Sequence, residues 1–280
     1  MAAANGSQRR LAVLVDADNA SAAIIEGLLE EVARYGVATV KRIYGDWTSQ
    51  QMNSWKRVLL AQSLQPVQQF AYTTGKNATD SALIIDAMDL LHTGDLDGFC
   101  IVSSDSDFTR LASRLRESGK KVYGFGEEKT PSSFVAACDQ FIYTDVLRTP
   151  AVEPTTTPAG PAAPAVAQPA PKTPKPVPVE LITQAIDDIS GDDEWVNLGQ
   201  LGSHLTKLRP NFDPRLFGFS KLSSLLKAQQ LFEVAQTTSG NGTSLAVRLR
   251  PAAPSAKAAQ PAASKKPSTK KAATKRRATP

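Results

Sequence analysis

Short apolar runs alternate with helical patterns along the first 149 residues, and this alternation restricts the fold more than any other feature of the sequence. Continuous apolar runs predict buried strands, whereas apolar residues at every third or fourth position predict helices. Strands that alternate with helices are joined by right-handed crossovers, so they form a mostly parallel sheet that is covered on both faces. We therefore predict a three-layer α/β domain at residues 9–149.

The element boundaries in this domain follow from turn residues, with glycines placed where helices commonly end. The predicted strands are residues 11–15, 38–44, 67–72, 98–103, 121–125 and 141–143. The predicted helices are residues 20–35, 51–63, 79–93, 107–118 and a short segment after Pro131.

The rest of the chain is divided by its composition. Residues 150–178 contain ten prolines, which favours an extended linker over a packed core. Residues 179–250 are predicted to form a second, small domain, with helices at 179–189, 198–208 and 219–229 and strands at 231–236 and 244–249. Its predicted core consists of Leu198, Leu201, Leu205, Phe217, Leu222, Leu225, Leu226, Leu231 and Phe232.

Both ends of the chain are predicted to be disordered. Residues 1–8 carry no apolar pattern, and the tail at residues 251–280 contains eight Lys and Arg and no Asp or Glu. Such a polycationic segment binds nucleic acid through phosphates, without regard to base sequence. The cations expected to act in this way are Lys265, Lys266, Lys270, Lys271, Lys275, Arg276 and Arg277.

Acidic residues follow two of the predicted strands. In "LAVLVDADNA" the apolar run is followed by Asp16 and, three residues later, Asn19. In "GFCIVSSDSDF" the apolar run is followed by two serines and then by Asp105 and Asp107. If the strand order is 3-2-1-4-5, the first and fourth strands are neighbours where the order reverses, which is where open parallel sheets bind ligands. Asp80 opens the helix that leads into the fourth strand, so we expect it at the same edge.

Asp18, Asn19, Asp80 or Asp107, taken singly, is better explained as a helix cap, which stabilises a helix by about 1 kcal/mol. Several carboxylates together favour another interpretation, because two of them about 4 Å apart repel by roughly 4 kcal/mol at an effective dielectric near 20. A hard divalent cation, Mg²⁺ or Mn²⁺, would relieve this repulsion and activate water for attack on a phosphodiester.

We therefore predict a metal site formed by Asp16, Asp80 and Asp105, with Asn19 placing a phosphate oxygen or a metal-bound water. The role of Asp107 stays open between metal ligand, partner of a ligand and helix cap. Basic residues nearby are candidates for contacts to backbone phosphates. They are Lys56, Arg57, Lys76 and Arg110.

The motifs "LVDADNA", "TDSALIIDAMDLL" and "IVSSDSDFTRLASRLRESGKKVYGFG" together closely resemble the NYN domain, the LabA-like branch of the PIN-like nucleases. The resemblance implies a PIN-like Rossmannoid fold, a divalent metal and endoribonuclease activity. By motif position it assigns the acidic site to Asp16, Asn19, Asp80, Asp105 and Asp107. This sequence has Ser104 where the family often has Gly.

The segment "WVNLGQLGSHLTKLRPNFDPRLFGFSKLSSLLKAQQLFEV" resembles the LOTUS, or OST-HTH, domain. The resemblance implies a compact, winged-helix-like module that binds RNA or a protein partner. Residues 179–250 contain seven Lys and Arg against eight Asp and Glu, so strong charge-driven phosphate binding by this module alone is not expected.

The sequence as a whole predicts a metal-dependent endoribonuclease with an accessory recognition domain. One alternative is a haloacid-dehalogenase-like phosphatase, with Asp16 as nucleophile and Asp18 as acid/base. The other is a noncatalytic RNA-binding adaptor. No apolar run is long enough to span a membrane and the first residues have no secretory pattern, so we predict a cytoplasmic protein without a membrane partner; its oligomeric state stays open.

Overall fold

The computed structural model describes residues 8–70, 78–147, 174–191, 195–239 and 242–250. Its first domain contains β1 (Arg10–Asp16), β2 (Val37–Gly45), β3 (Gln65–Gln68), β4 (Gly98–Val102), β5 (Lys121–Gly126) and β6 (Gln140–Tyr143). These strands form one sheet in the order β3-β2-β1-β4-β5-β6, and every pair in it is parallel. The predicted α/β class and the adjacency of β1 and β4 are confirmed.

Five α-helices among the described residues cover the two faces of this sheet. They are α1 (Ile25–Ala33), α2 (Asn53–Lys56), α3 (Ala78–Thr93), α4 (Thr109–Glu117) and α5 (Ser132–Ala137). Successive residues of β1 point to opposite faces: Leu14 packs in the core with α3, α4 and α5, whereas Val13 and Val15 pack in the core with α1 and α2. This two-sided burial explains why β1 and β4 are continuously apolar.

The helix predicted at residues 51–63 is shorter in the structure. A 3-10 turn at Gln50–Met52 leads into α2, and residues 57–63 form turns. Met52 and Trp55 are buried, but Leu60 is 93% exposed. Val58 and Leu59 still pack partly against the core beyond Trp55, but the backbone there forms separate turns instead of a continued helix. The strand predicted at 67–72 lies earlier, at β3, and its last two residues fall outside the described part of the chain.

The second domain contains α6 (Val179–Ile189), β7 (Val196–Asn197), α7 (Leu198–Leu208), α8 (Leu222–Ala228), β8 (Phe232–Ser239) and β9 (Gly242–Leu249). The strands form an antiparallel sheet in the order β7-β9-β8. Residues of α6, α7, α8 and the sheet share one apolar core. The expectation that Leu231 belongs to this core is wrong, since it is 56% exposed while Phe232, the next residue and on the opposite side of the chain, is buried.

Several sequence predictions concern residues outside the described ranges. These are the N-terminal segment through residue 7, the predicted linker through residue 173, Lys76, and the cationic tail beyond residue 250. All described strands and helices belong to one compact unit, which ends at Leu249. No helix among the described residues is long and apolar enough to cross a membrane.

Candidate metal and catalytic site

Three carboxylates from two separate segments meet at the carboxyl edge of the parallel sheet. Asp80 lies in the first turn of α3, and Asp105 and Asp107 follow β4. Each offers one oxygen atom, and the three oxygens lie within 4.8 Å of one another. They meet because α3 runs antiparallel to β4, so that the first turn of α3 lies where β4 ends. We call these three residues the carboxylate cluster.

The local sequence after β4 explains how two of these carboxylates are held. Asp105 is the N-cap of the 3-10 turn Ser106–Phe108, and its Oδ1 accepts a hydrogen bond from the backbone N–H of Asp107 at 2.9 Å. This turn leads directly into α4 and is anchored by buried Phe108. The cap after β4, which the sequence suggested for Asp107, is therefore Asp105, and this residue also belongs to the cluster.

Asp16 ends β1 directly beside the cluster and is fully buried. Its Oδ2 accepts hydrogen bonds from Asn19 Nδ2 and from Ser103 Oγ, both at 2.8 Å, and its Oδ1 accepts one from the backbone N–H of Asp18 at 3.1 Å. Asp16 is not a member of the group whose oxygens lie within 4.8 Å; Asp107 takes that place. Asp80 and Asp105 of the predicted metal trio thus belong to the carboxylate cluster, and the assignment of metal ligands stays a prediction.

Ser103 links Asp16 to the cluster. Its hydroxyl donates to Asp16 and accepts a hydrogen bond from the backbone N–H of Asp105 at 3.1 Å, and the residue is 1% exposed. Sequence analysis assigned it no role. The signal was present in its position two residues before Asp105, because Ser and Thr hydroxyls commonly accept from the N–H two residues on.

The electrostatics of the site are those of crowded anions. Burial, together with the carboxylates of Asp16, Asp105, Asp107 and Asp18, raises the pKa of Asp80 to about 6. Burial also raises the pKa of Asp16, against the opposing effect of its hydrogen bonds from Asn19 and Ser103. Neighbouring carboxylates that raise one another's pKa favour the binding of either protons or a cation.

The residues fit a hard divalent cation. Carboxylate oxygens from three residues are the donors that Mg²⁺ and Mn²⁺ prefer, and the graded exposure of Asp80, Asp105 and Asp107 from buried to exposed leaves one side open to water and substrate. Burial and the neighbouring carboxylates, which raise the pKa of Asp80, both favour a cation at this position.

Two further residues hold the loop after β4 against the end of β5. Ser104 Oγ accepts a hydrogen bond from the backbone N–H of Glu127 at 2.8 Å, so the serine found in place of the family's glycine makes a specific contact. A Cβ atom on Gly126 would lie 2.7 Å from the carbonyl oxygen of Ser103, which is closer than any Cβ approaches a backbone atom. Gly126 therefore permits the close packing of this loop.

The predicted phosphate-binding residues lie on elements that follow β2 and β4. Lys56 ends α2, Arg57 follows it, and Arg110 lies in the first turn of α4; all three are exposed. Their side chains are accessible to solvent, and their contacts to phosphates stay a prediction.

Thr79 was not predicted to belong to the site. Its hydroxyl donates to Asp18 Oδ2 at 2.9 Å and so connects the start of α3 to the loop after β1.

Asp86 lies further along α3 and serves the sheet. Its carboxylate accepts hydrogen bonds from Arg42 and from the hydroxyl of Tyr44, both on β2. Buried Tyr44 and half-buried Arg42 thereby fix α3 on the sheet, which in turn fixes Asp80 two turns away.

A parallel sheet of this order, with acidic residues at the ends of its two central strands, defines a PIN-like α/β fold. The NYN domain model matches residues 10–147, and the OST-HTH/LOTUS domain model matches residues 170–243. This chain thus contains an NYN domain followed by an OST-HTH/LOTUS domain.

Three solved structures are similar to parts of the chain. A protein of unknown function from Vibrio parahaemolyticus is 17% identical with a TM-score of 0.43, covering 50% of this chain and 96% of its own. An uncharacterized protein from Nitrosomonas europaea is 33% identical with a TM-score of 0.26, covering 35% of this chain and 92% of its own. A protein segment from Chromobacterium violaceum is 34% identical with a TM-score of 0.23, covering 25% of this chain and 77% of its own. No curated protein matches the chain.

Proposed function

We propose that this protein is a metal-dependent endoribonuclease that hydrolyses RNA phosphodiester bonds. The observation that carries the proposal is the convergence of Asp80, Asp105 and Asp107 within 4.8 Å, beside buried Asp16, at the point where the strand order reverses. The resemblance of NYN domains to PIN-like nucleases supports the same reaction class, and the OST-HTH/LOTUS domain supports RNA as the substrate.

In this proposal Asp80, Asp105 and Asp107 hold Mg²⁺ or Mn²⁺. Such an ion, when bound, neutralises charge on the phosphodiester and lowers the pKa of a coordinated water. Asp16 adds negative charge behind the cluster and fixes the positions of Asn19 and Ser103 through its hydrogen bonds.

Substrate contacts come from exposed groups around the cluster. Asn19 donates one of its two Nδ2 hydrogens to Asp16, and the other is available to a phosphate oxygen. Exposed Lys56, Arg57 and Arg110 are proposed to neutralise backbone phosphates. The cationic tail adds contacts that are independent of sequence and sensitive to salt.

Direct attack by water accounts for the site better than a covalent intermediate on Asp16. A nucleophile must reach the phosphorus atom, whereas Asp16 is fully buried and both of its oxygens accept hydrogen bonds. This geometry also disfavours the phosphatase alternative, in which Asp16 would be phosphorylated.

The test is cleavage of end-labelled single-stranded RNA by the full-length protein with Mg²⁺ or Mn²⁺, with and without chelator. We expect metal-dependent cleavage that is lost in Asp16→Asn, Asp80→Asn and Asp105→Asn. Asp89→Asn is the matched control, because Asp89 is exposed on the same helix as Asp80 and should not affect cleavage. Circular dichroism establishes that each variant is folded.

Binding of Mn²⁺, followed by electron paramagnetic resonance, separates metal binding from catalysis. We expect Asp80→Asn and Asp105→Asn to weaken it, and Asp89→Asn to leave it unchanged. If the purified protein binds RNA without cutting it, and Asp16→Asn, Asp80→Asn and Asp105→Asn bind RNA equally well, the noncatalytic adaptor becomes the better description.

A further inference from the structure

The second domain lies against β6, the edge strand of the first domain. The backbone N–H of Phe141 in β6 donates to the carbonyl oxygen of Pro210 at 2.8 Å, and Asn211 Nδ2 donates to the hydroxyl of Tyr143 at 3.0 Å. β6 is the last strand of the sheet, and no strand among the described residues pairs with its outer side. Edge strands otherwise leave such N–H groups open to solvent or to other chains. The segment after α7 therefore provides the hydrogen-bond acceptor for the Phe141 N–H at this edge.

A buried ion pair lies beside this contact. Glu31 of α1 is 4% exposed, and its Oε2 accepts a hydrogen bond from Arg215 Nη1 of the second domain at 2.8 Å. Its other oxygen accepts one from the hydroxyl of Tyr35 at 2.9 Å. Arg34 also pairs with Glu31, at 3.2 Å, but its side chain is 66% exposed. A buried carboxylate requires a nearby positive charge, and Arg215 supplies it to Glu31 from a position that is shielded from solvent.

The guanidinium of Arg215 is itself held in place. Its Nε donates to Asp213 Oδ1 at 3.0 Å and its Nη2 donates to Oδ2 at 2.6 Å, in the two-pronged geometry that orients an arginine side chain. Asp213 also caps the 3-10 turn Pro214–Phe217 that carries Arg215. The arginine thus enters the interface from a rigid turn.

A third contact involves the segment that enters the second domain. The backbone N–H of Lys175 donates to the carbonyl oxygen of Leu216, and Leu216 packs against the core beneath α3, α4 and α5 of the first domain. Lys175 Nζ pairs with Glu128 at 2.6 Å and lies 5.3 Å from the ring centroid of Tyr143. Charge, hydrogen bonds and apolar packing all contribute to the interface between the two domains.

We infer that the ion pair between Arg215 and Glu31 locks the second domain onto α1 and β6, so that the two domains move as one body. A proline-rich connection suggests independent modules, but independent modules would leave the Phe141 N–H unpaired and Glu31 without its shielded partner. This inference stands apart from the carboxylate cluster and needs no nuclease activity.

The docked arrangement also places the second domain beside the carboxyl edge of the sheet. Glu128 follows β5 and Tyr143 ends β6, so both contacts of Lys175 lie at the edge that carries the cluster. RNA bound by the second domain would then reach the cluster at a fixed distance, a consequence that rests on the proposed function.

The Phe141 amide offers a direct test, because its hydrogen bond crosses the interface. Amide hydrogen exchange is measured by NMR on the full-length protein and on Arg215→Met and Glu31→Gln. Ile142 is the internal control: consecutive amides of a strand point to opposite sides, so its N–H faces β5 within the sheet. Arg248→Met is the matched variant, since it removes the ion pair with Glu233 inside the second domain.

We expect the Phe141 amide to be protected in the wild-type protein and to exchange at least about tenfold faster in both Arg215→Met and Glu31→Gln, with Ile142 unchanged. Arg248→Met should leave the exchange rates of both amides unchanged. A Phe141 amide that is unprotected in the wild type overturns the inference. Faster exchange in only one of Arg215→Met and Glu31→Gln also overturns it. An equal increase at Ile142 overturns it as well, because it would report unfolding of β6 itself.

Discussion

Replacing Asp80 by asparagine is expected to stabilise the metal-free protein while abolishing cleavage. Asp80 is 8% exposed, and its pKa is raised to about 6 from an ordinary 3.8. A carboxyl group with a raised pKa binds its proton more tightly in the folded than in the unfolded state. Its ionisation therefore costs stability, increasingly as the pH rises from about 4 to about 6, and in full above that range.

The size of this cost follows from the two pKa values. Their difference corresponds to about 3 kcal/mol of lost stability above pH 7. Solvent at the open side of the cluster screens part of this repulsion, and an asparagine loses the favourable interaction of a charge with the start of α3, worth about 0.3–1 kcal/mol. We expect Asp80→Asn to be more stable than the wild type by about 1–2 kcal/mol at pH 7.5, and nearly equal to it at about pH 4.

The assay is urea unfolding of wild type, Asp80→Asn and the control Asp89→Asn, with chelator, at about pH 4, 6 and 7.5. The electrostatic account fails if the difference between wild type and Asp80→Asn does not change with pH. Added Mg²⁺ or Mn²⁺ should reverse the ranking, because an ion at 100 times its dissociation constant stabilises the wild type by about 2.7 kcal/mol. Equal stabilisation of both proteins would place the ion elsewhere.

Four further changes have outcomes that follow from the structure. Ser103→Ala removes a buried hydroxyl with two hydrogen bonds, so urea unfolding should show a loss of about 1–3 kcal/mol, together with reduced cleavage. Gly126→Ala should lower cleavage by displacing the loop after β4, whereas Gly191→Ala, which has no atom within 4 Å of the new Cβ, should not. Deleting residues 251–280 should reduce the slope of log affinity for RNA against log salt by up to about 5 units, measured by fluorescence anisotropy, with little change in kcat. Ending the chain after residue 149 should raise KM for RNA more than it lowers kcat, and an unchanged KM would contradict a role of the second domain in substrate capture.

Much of the fold could be predicted because it depends on local patterns. The apolar runs of β1 and β4 are buried on both faces, and α6 and α7 begin and end where their periodicity predicts. The prediction failed where a helical pattern does not form a continuous helix. Residues 57–63 contain helix-forming residues, yet Leu60 is exposed and the segment is a series of turns.

The candidate site was predictable in outline for a topological reason. Once β1 and β4 are neighbours, residues at their ends must lie close together, and the start of α3 must lie at the same edge. The sequence could not decide which carboxylate oxygens approach one another. That Asp107 rather than Asp16 joins Asp80 and Asp105 depends on the cap after β4 and on the hydrogen bonds that hold Asp16.

The sequence by itself determined the order of strands and helices, the acidic edge and the two domain families, because each is encoded in short-range periodicity or in a contiguous motif. The tertiary structure alone decided the docking of the second domain. Arg215 and Glu31 are 184 residues apart in the chain, and neither position differs in pattern from an ordinary surface residue. Pairing over such a distance is set by the shapes and charges of assembled surfaces, which no local pattern specifies.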